Sequence, residues 1–355
     1  MMKELLDARG LPELMRMADG SPVTARNWPQ RRQEIFGILE DQLFGRLPQK
    51  PFTQSCELVM EERKYYHGGK SILRVYKLTV EVEGKPFSWR FWYSIPKANL
   101  PVPLFLLPCF TRLLPVDSLP TEEIIDGGYG ICCFDYQEVS SDDNDFTNGL
   151  AALFYPYGVR RAHDGGKIAL WAWAASRILD QLLQMPEIDS QKILIVGHSR
   201  LGKTALWAGA ADPRFGGVIS VHSGCGGAAI ARGNTGEKVA DITKNFGFWF
   251  APAYAAYAGK EETMPFDQHF LLALAAPRRL YVESAAGDLW ADPLGEYLDC
   301  LAVSPLYETL GLRGAEVAEP QDDMLLHGGD VGYSRRPGTH FFTRLDWQRI
   351  MVFFR

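Results

Sequence analysis

The stretch Lys192-Ile-Leu-Ile-Val-Gly-His-Ser-Arg-Leu-Gly-Lys-Thr-Ala-Leu-Trp207 decides the fold. A β-branched run ends at Gly197, one residue separates it from Ser199, and an Ala/Leu-rich helical pattern begins at once. This predicts a strand, a tight turn and a helix, with Ser199 at the tip of the turn. Such an elbow lifts the hydroxyl above the sheet and leaves N–H groups of the helix start free to meet a developing oxyanion. The usual pattern is Gly-x-Ser-x-Gly; here Leu201 holds the fifth position and the glycine follows at Gly202. The reading is a nucleophile. The plainer alternative is a helix N-cap serine closing a buried strand.

A serine hydroxyl needs a histidine base and an acid that orients the base. In α/β-hydrolases the acid and then the histidine follow the serine along the chain. Residues 279–284, Arg-Leu-Tyr-Val-Glu-Ser, read as a later strand, and Ala285-Ala-Gly-Asp288 as the loop leaving it. Asp288 is therefore favoured as the acid, with Glu283, Asp292 and Glu296 as competitors and a turn or cap role as its alternative. Among seven histidines, His67 and His163 precede the serine, His198 is expected to point elsewhere, and His269 sits in an apolar run. His340, in Arg335-Arg-Pro-Gly-Thr-His340 before an aromatic terminal helix, is favoured over His327.

With these residues in place, four blocks carry a resemblance. Gly197-His-Ser-Arg-Leu-Gly-Lys203, Ser223-Gly-Cys-Gly-Gly-Ala228, Asp288-Leu-Trp-Ala-Asp-Pro293 and Gly338-Thr-His340 resemble the glucuronoyl esterases, carbohydrate esterase family fifteen, in their bacterial form. The resemblance runs from about Trp92 to the C-terminus, and Ser-Arg-x-Gly-Lys is its most specific part. It implies an α/β-hydrolase that cleaves the ester between 4-O-methyl-glucuronate on xylan and an alcohol, in biomass a lignin alcohol. It implies Ser199 as nucleophile, His340 as base, Asp288 as acid and Arg200 as oxyanion stabiliser, with Lys203, Glu237 and Trp290 on the sugar.

Each implied role also has a plain alternative. Arg200 follows the nucleophile and its guanidinium can fold over the reacting carbonyl, or it pairs with a surface carboxylate. Lys203 lies one helical turn beyond Ser199, on the same face, or is simply solvated. Glu237, in Gly233-Asn-Thr-Gly-Glu237, suits bidentate bonding to sugar hydroxyls or is a solvent charge. Trp290 stacks on a pyranose or packs. The chain departs from the family at His222, where many members have a glutamate that serves as acid in fungal enzymes. The fungal cysteines beside serine and histidine are replaced by His198 and Phe341, so that disulfide is not expected.

The 355 residues, 46% apolar, suffice for one large core. A single α/β-hydrolase domain over residues 1–355 is expected: a three-layer αβα sandwich with a mostly parallel central sheet and antiparallel edge strands. Residues 1–50 would form a helical N-terminal segment packed on it. Strands are expected within 54–95 at the edge and over 102–107, 130–134 and 218–221, helices over 166–185, 270–275 and 344–354. Residues 142–156 read as a solvated, flexible loop; Asp142, Asp143 and Asp145 lack the glycine and distal glutamate of a calcium loop.

A net charge of −6 argues against a nucleic-acid partner, and no apolar run is long enough for a membrane. Six cysteines without Cys-x-x-Cys spacing suggest free, buried thiols, and no cofactor or metal is expected. The first ten residues lack the apolar core of a signal peptide, which reads as a cytoplasmic protein or a secreted one whose leader has been removed. The implied partner is a glucuronate-bearing carbohydrate ester, with oligomeric state open. An acetylated-sugar esterase on the same scaffold, or a silent carbohydrate-binding relative, would share most of these features.

Overall fold

Apolar side chains on alternate positions of the central strands face opposite sides, and this alternation organises the computed structural model, which describes residues 1–98, 101–111 and 119–355. Ten strands form one sheet: β1 (Phe52–Glu62), β2 (Ser71–Val82), β3 (Lys85–Pro96), β4 (Val102–Cys109), β5 (Gly130–Asp135), β6 (Ile188–His198), β7 (Gly217–Val221), β8 (Arg279–Ala285), β9 (Met324–Leu326) and β10 (Val331–Arg336). Their order is β1-β2-β3-β5-β4-β6-β7-β8-β10-β9. Pairing is parallel from β5 to β10 and antiparallel at both margins.

Leu104, Leu106, Ile193, Ile195, Val218, Leu280 and Val282 enter one apolar core, while Phe105, Leu107, Leu194, Val196, Ile219, Val221 and Tyr281 enter the other. A one-residue slip in any strand would exchange the two sets, so burial fixes register. The first core is covered by the helices Trp28–Leu39, Lys167–Leu182, Arg200–Ala211, Gln268–Ala273 and Pro293–Ala302, the second by Thr121–Asp126 and Arg344–Phe353. Three layers result, as the sequence predicts.

The edge strands are hairpins. Between β2 and β3 the chain turns at Glu83 and Gly84, both with positive φ (50° and 76°), which matches the two-residue turn whose twist suits paired strands. In the N-terminal fifty residues the helices Met2–Asp7 and Trp28–Leu39, the latter continuing as a π-helical turn over Glu40–Phe44, carry Met2, Trp28 and Ile35 into the first core. Arg31 lies on the buried side of its helix, where its guanidinium donates to the carbonyls of Glu13 (2.9 Å) and Leu14 (3.2 Å) and so ties down the incoming chain.

The topology also locates a crevice. From β4 the chain moves to β5 on one side and then crosses to β6 on the other, so strand order reverses at β4. Ligand sites of open parallel sheets lie at the carboxyl ends of strands at such a reversal. A cavity of about 380 Å³ lies here, lined by Pro108 and Cys109 at the end of β4 and Phe110 after it, by His198 at the end of β6 with Ser199 and Arg200 after it, and by His340.

Gly197 makes the turn after β6 possible, because a Cβ there would stand 1.9 Å from the carbonyl oxygen of Leu201. Gly202, displaced by one place from the usual pattern, lets the helix approach Ser223, whose Cβ would be 3.0 Å from an added methyl. Gly197→Ala should therefore cost about 1–3 kcal/mol or more of stability, while Ala208→Ser, within the same helix but away from the turn, should leave the cavity's geometry intact. Urea denaturation checks this; equal midpoints for Gly197→Ala and the native protein would contradict it.

Candidate active site

Ser199 has φ 60° and ψ −127°, a backbone conformation that costs a non-glycine residue on the order of 1–3 kcal/mol and persists only when neighbours enforce it. Its N–H donates to the Val221 carbonyl (2.8 Å), and its carbonyl accepts from Gly202 N–H (2.8 Å). The strand β7 and the helix Arg200–Ala211 thus clamp the residue from both sides, and its side chain lines the cavity. The N–H groups of Arg200 and Leu201, at the very start of that helix, precede its first intrahelical hydrogen bond.

Asp288 and His340 meet across two loops. Asp288 follows β8, His340 follows β10, and His340 Nδ1 lies 2.6 Å from Asp288 Oδ2. Asp288 is buried whereas His340 stays 43% exposed by side chain, so its outer edge remains open to the cavity. The loops are laced by Ala286 N–H to the Arg336 carbonyl and Gly287 N–H to the Gly338 carbonyl, both 2.8 Å. Arg336 is buried and threads the histidine loop: its guanidinium donates to the carbonyls of Pro337 (3.0 Å), Thr339 (3.3 Å) and Phe341, and to Asp346 Oδ1 (2.6 Å). Asp346 in turn closes a capping box with Thr343 at the start of the terminal helix.

The competitors for the acid are engaged elsewhere. Glu283 is fully buried, takes hydrogen bonds from Ser334 (3.0 Å) and Tyr281 (3.1 Å), and burial raises its pKa well above the carboxylate range. Asp292 caps the helix Pro293–Ala302 and holds Thr235 Oγ1 (3.1 Å). Glu296 accepts from Ser284 Oγ and from Gly224 N–H (3.0 Å), and burial pushes its pKa up to about 8. His327 bonds Tyr281 (3.1 Å) and packs edge-on to Phe353, away from the cavity lining.

The residues implied for the sugar lie close together. Lys203 is buried rather than solvated; its ammonium donates to the Ser223 carbonyl (2.6 Å), and desolvation lowers its pKa against the opposing pull of Glu237. Glu237 is buried too, its pKa raised by desolvation and opposed by Lys203 and by a Trp290 hydrogen bond. Glu237 N–H donates to the Trp290 carbonyl (2.8 Å), and Gly236 permits that approach, since a Cβ would stand 2.3 Å from the same oxygen. Trp290 is 58% exposed and therefore not core material. Arg200 lines the cavity and also pairs with Asp142, its guanidinium 4.9 Å from the Trp249 ring. Of the two alternatives weighed for it from sequence, the structure shows the carboxylate pairing, with a partner that is largely buried rather than at the surface.

Comparison with known proteins gives a concordant result. The family model described as "Glucuronyl esterase, fungi" matches residues 78–311. A carbohydrate esterase, MZ0003, from an unknown prokaryotic organism is 33% identical over 97% of this chain and 88% of its own length. The chain belongs to the glucuronoyl esterase family. A 4-O-methyl-glucuronoyl methylesterase of Podospora anserina is 29% identical over 82% of this chain, which spans 59% of that fungal protein. A solved structure of a glucuronoyl esterase from Solibacter usitatus superposes with TM-score 0.89 at 33% identity, covering 97% of each chain. The α/β-hydrolase fold and ester-hydrolase chemistry of the family therefore hold for this protein.

The geometry corrects the expectations for His198 and for residues 142–156. His198 does not point elsewhere: it lines the cavity and its ring lies 4.7 Å from that of His340. The 142–156 segment is not simply solvated, because Asp142 is largely buried and accepts from Tyr136 Oη (2.8 Å), Trp249 Nε1 (2.6 Å) and Arg200. Buried Lys167 donates to the Asp145 carbonyl (2.6 Å), and a short helix, Ala151–Phe154, interrupts the segment. All six cysteines are free, and Cys56 is only partly buried. At the family's glutamate position, His222 is buried with φ 48°, its Nδ1 3.6 Å from Asp288 Oδ2. Burial first, then His198, Arg336 and His340, lowers its pKa to about 2, so the ring is neutral. The spacing Thr343-x-x-Asp346 signals the cap in the sequence; nothing there signals Arg336 or Asp142.

Glu296 gives a pH test of this packing. Its folded pKa of about 8 exceeds that of the unfolded chain. Below the unfolded value both states are protonated and stability is whole; as pH rises toward about 8 only the unfolded chain ionises, and stability falls. Glu296→Gln should flatten this decline between about pH 5 and pH 8 in chemical denaturation. Parallel declines in the two proteins would contradict it.

Proposed function

We propose that this protein hydrolyses 4-O-methyl-glucuronoyl esters of xylan-type glycans through an acyl-enzyme on Ser199. The observation that carries the reading is the 2.6 Å contact of His340 with Asp288, with His340 and Ser199 lining one cavity. His340 takes the proton of Ser199 as the hydroxyl attacks the uronate carbonyl. Asp288 holds the ring and offsets the charge of the imidazolium. The oxyanion develops beside Arg200 and the helix start, where fixed donors stabilise charge that is absent in the ground state. Collapse expels the alcohol, which receives the proton from His340. Water then attacks the acyl-enzyme by the same base, releasing a carboxylate and the free serine.

Lys203, Glu237 and Trp290 would hold the sugar on one side of the ester. On the other side the apolar walls, among them Leu119, Phe341 and Trp347, give the alcohol a water-poor surface. Names of the relatives support the uronate: the Podospora protein is a 4-O-methyl-glucuronoyl methylesterase. An acetyl group would leave the buried Lys203–Glu237 pair without a use.

Ser199→Ala should abolish cleavage with unchanged circular dichroism, and Asp288→Asn should lower kcat strongly with little change in KM, since shape is kept and charge lost. Methyl glucuronate ester should be turned over far faster than acetylated xylose; the reverse order would overturn the substrate assignment. Arg200→Lys keeps the charge but loses the planar fork, so kcat should drop roughly 10²-fold or more. Wild-type rates in Arg200→Lys would remove the oxyanion role.

Glu237 predicts a pH effect on affinity. Its pKa is raised by burial, so it protonates at higher pH than an ordinary glutamate and then accepts sugar hydroxyls less well. KM should rise as pH falls through that raised value, and Glu237→Gln should show a high KM without this acid limb. A limb that survives in the variant would assign it to another group.

A further inference from the structure

Three histidines remote in sequence converge beside the cavity, which His198 and His340 line. Among the described residues His198, His222 and His340 bring their ligand nitrogens within 4.8 Å of one another. Ring centroids are 4.7 Å apart for His198 and His340, 5.5 Å for His198 and His222, and 5.7 Å for His222 and His340. Imidazoles bound to one tetrahedral ion, with metal–nitrogen bonds of about 2.0–2.1 Å, place their centroids roughly 5 Å apart. The triangle therefore needs rotation of side chains and little movement of backbone.

The polar atoms are left open for such a ligand. His222 is 1% exposed, and neither of its ring nitrogens has a hydrogen-bond partner among the described residues; the same holds for the buried Nε2 of His198. Buried polar atoms normally find a partner, and an unmet group marks a strain reservoir, a role in chemistry or a missing ion or water. Here the orphaned nitrogens belong to the commonest ligand type for borderline metals, and they come from two of the three rings. Asp288 adds a negative charge at the edge of the triangle, with Oδ2 3.6 Å from His222 Nδ1.

We propose that His198, His222 and His340 form a site for one divalent ion of the zinc class, and that occupancy reversibly inhibits the enzyme. A lone pair of each neutral imidazole forms a coordinate bond, and water or the Ser199 hydroxyl completes a tetrahedron. No group is oxidised and no covalent bond breaks. His340 then has no lone pair to receive the serine proton, so hydrolysis stops until the ion leaves. Hard cations such as Mg²⁺ and Ca²⁺ prefer oxygen ligands and do not occupy the site. The inhibition rests on His340 acting as the base, as proposed above; the binding does not.

Metal-free enzyme is titrated with Co²⁺ and followed by visible absorption, and Zn²⁺ affinity is measured by displacement of Co²⁺. One equivalent should bind with the intense bands of tetrahedral cobalt. Zn²⁺ should inhibit hydrolysis of a methyl glucuronate ester with an inhibition constant equal to its dissociation constant, while Mg²⁺ does not. His222→Gln and His198→Gln should each weaken Co²⁺ binding at least tenfold, as should His340→Gln, whose partly exposed position tolerates replacement. Ser199→Ala should bind as the native protein does. Absence of one-to-one binding, or native affinity in the His variants that retain native circular dichroism, would overturn the site. Tight binding without inhibition would keep the site and overturn the role of His340 as base.

Discussion

The 2.6 Å contact between Asp288 and His340 depends on elements from two strands and one helix, and most of the molecule serves to keep it. Parallel pairing of β8 with β10 brings the two loops side by side. Backbone hydrogen bonds from Ala286 and Gly287 stitch them, and the Arg336–Asp346 pair closes the far end against the terminal helix. A buried ion pair adds little net stability, because desolvation offsets its Coulomb attraction. Here its use is geometric: Arg336 also gathers three carbonyls of the loop that carries His340.

Ser199 sits between two unlike environments. Toward β4 the walls are apolar and aromatic, from Leu107 and Phe110 to Phe342 and Trp347. Lys203 and Glu237 are both buried, each displaced in pKa by burial and partly restored by the charge of the other. Charged groups withdrawn from water are costly unless they are paired and hydrogen-bonded. Arg200 lies near the boundary, and Asp142 with Trp249 limits where its guanidinium can go. His222 changes the balance at the triad. A neutral ring stands where many family members have a glutamate, and among the described residues Asp288 is the carboxylate paired with His340.

Sheet, layers and the positions of Ser199, Asp288 and His340 were legible because each follows from local pattern and chain order. The elbow has a strand before it and a helix after it; the acid and base lie in loops that the order of an α/β-hydrolase singles out. Lys203, Glu237 and Trp290 are readable only through motif resemblance; the structure joins Glu237 to Trp290 through the backbone and buries Lys203 one helical turn beyond Ser199, and none of the three lines the cavity. What stayed hidden depends on tertiary geometry. His198 lies beside the rings of Phe110 and Phe342, neighbours that are distant from it in sequence. Asp142 reads as one acid among three in a polar loop until Arg200, Trp249 and Tyr136 surround it. Arg336 carries no mark of burial in a run of basic residues, although the Thr343-x-x-Asp346 cap that anchors it is readable.

The central claim is that the uronate is transferred to Ser199 before water takes it. Rapid acid quench during turnover of a methyl glucuronate ester, followed by intact-mass and peptide mass spectrometry, tests it most directly. A uronoyl adduct that maps to Ser199 and decays at the rate of product release is expected. Product formed at full rate with no protein adduct, or an adduct on another residue, would contradict it.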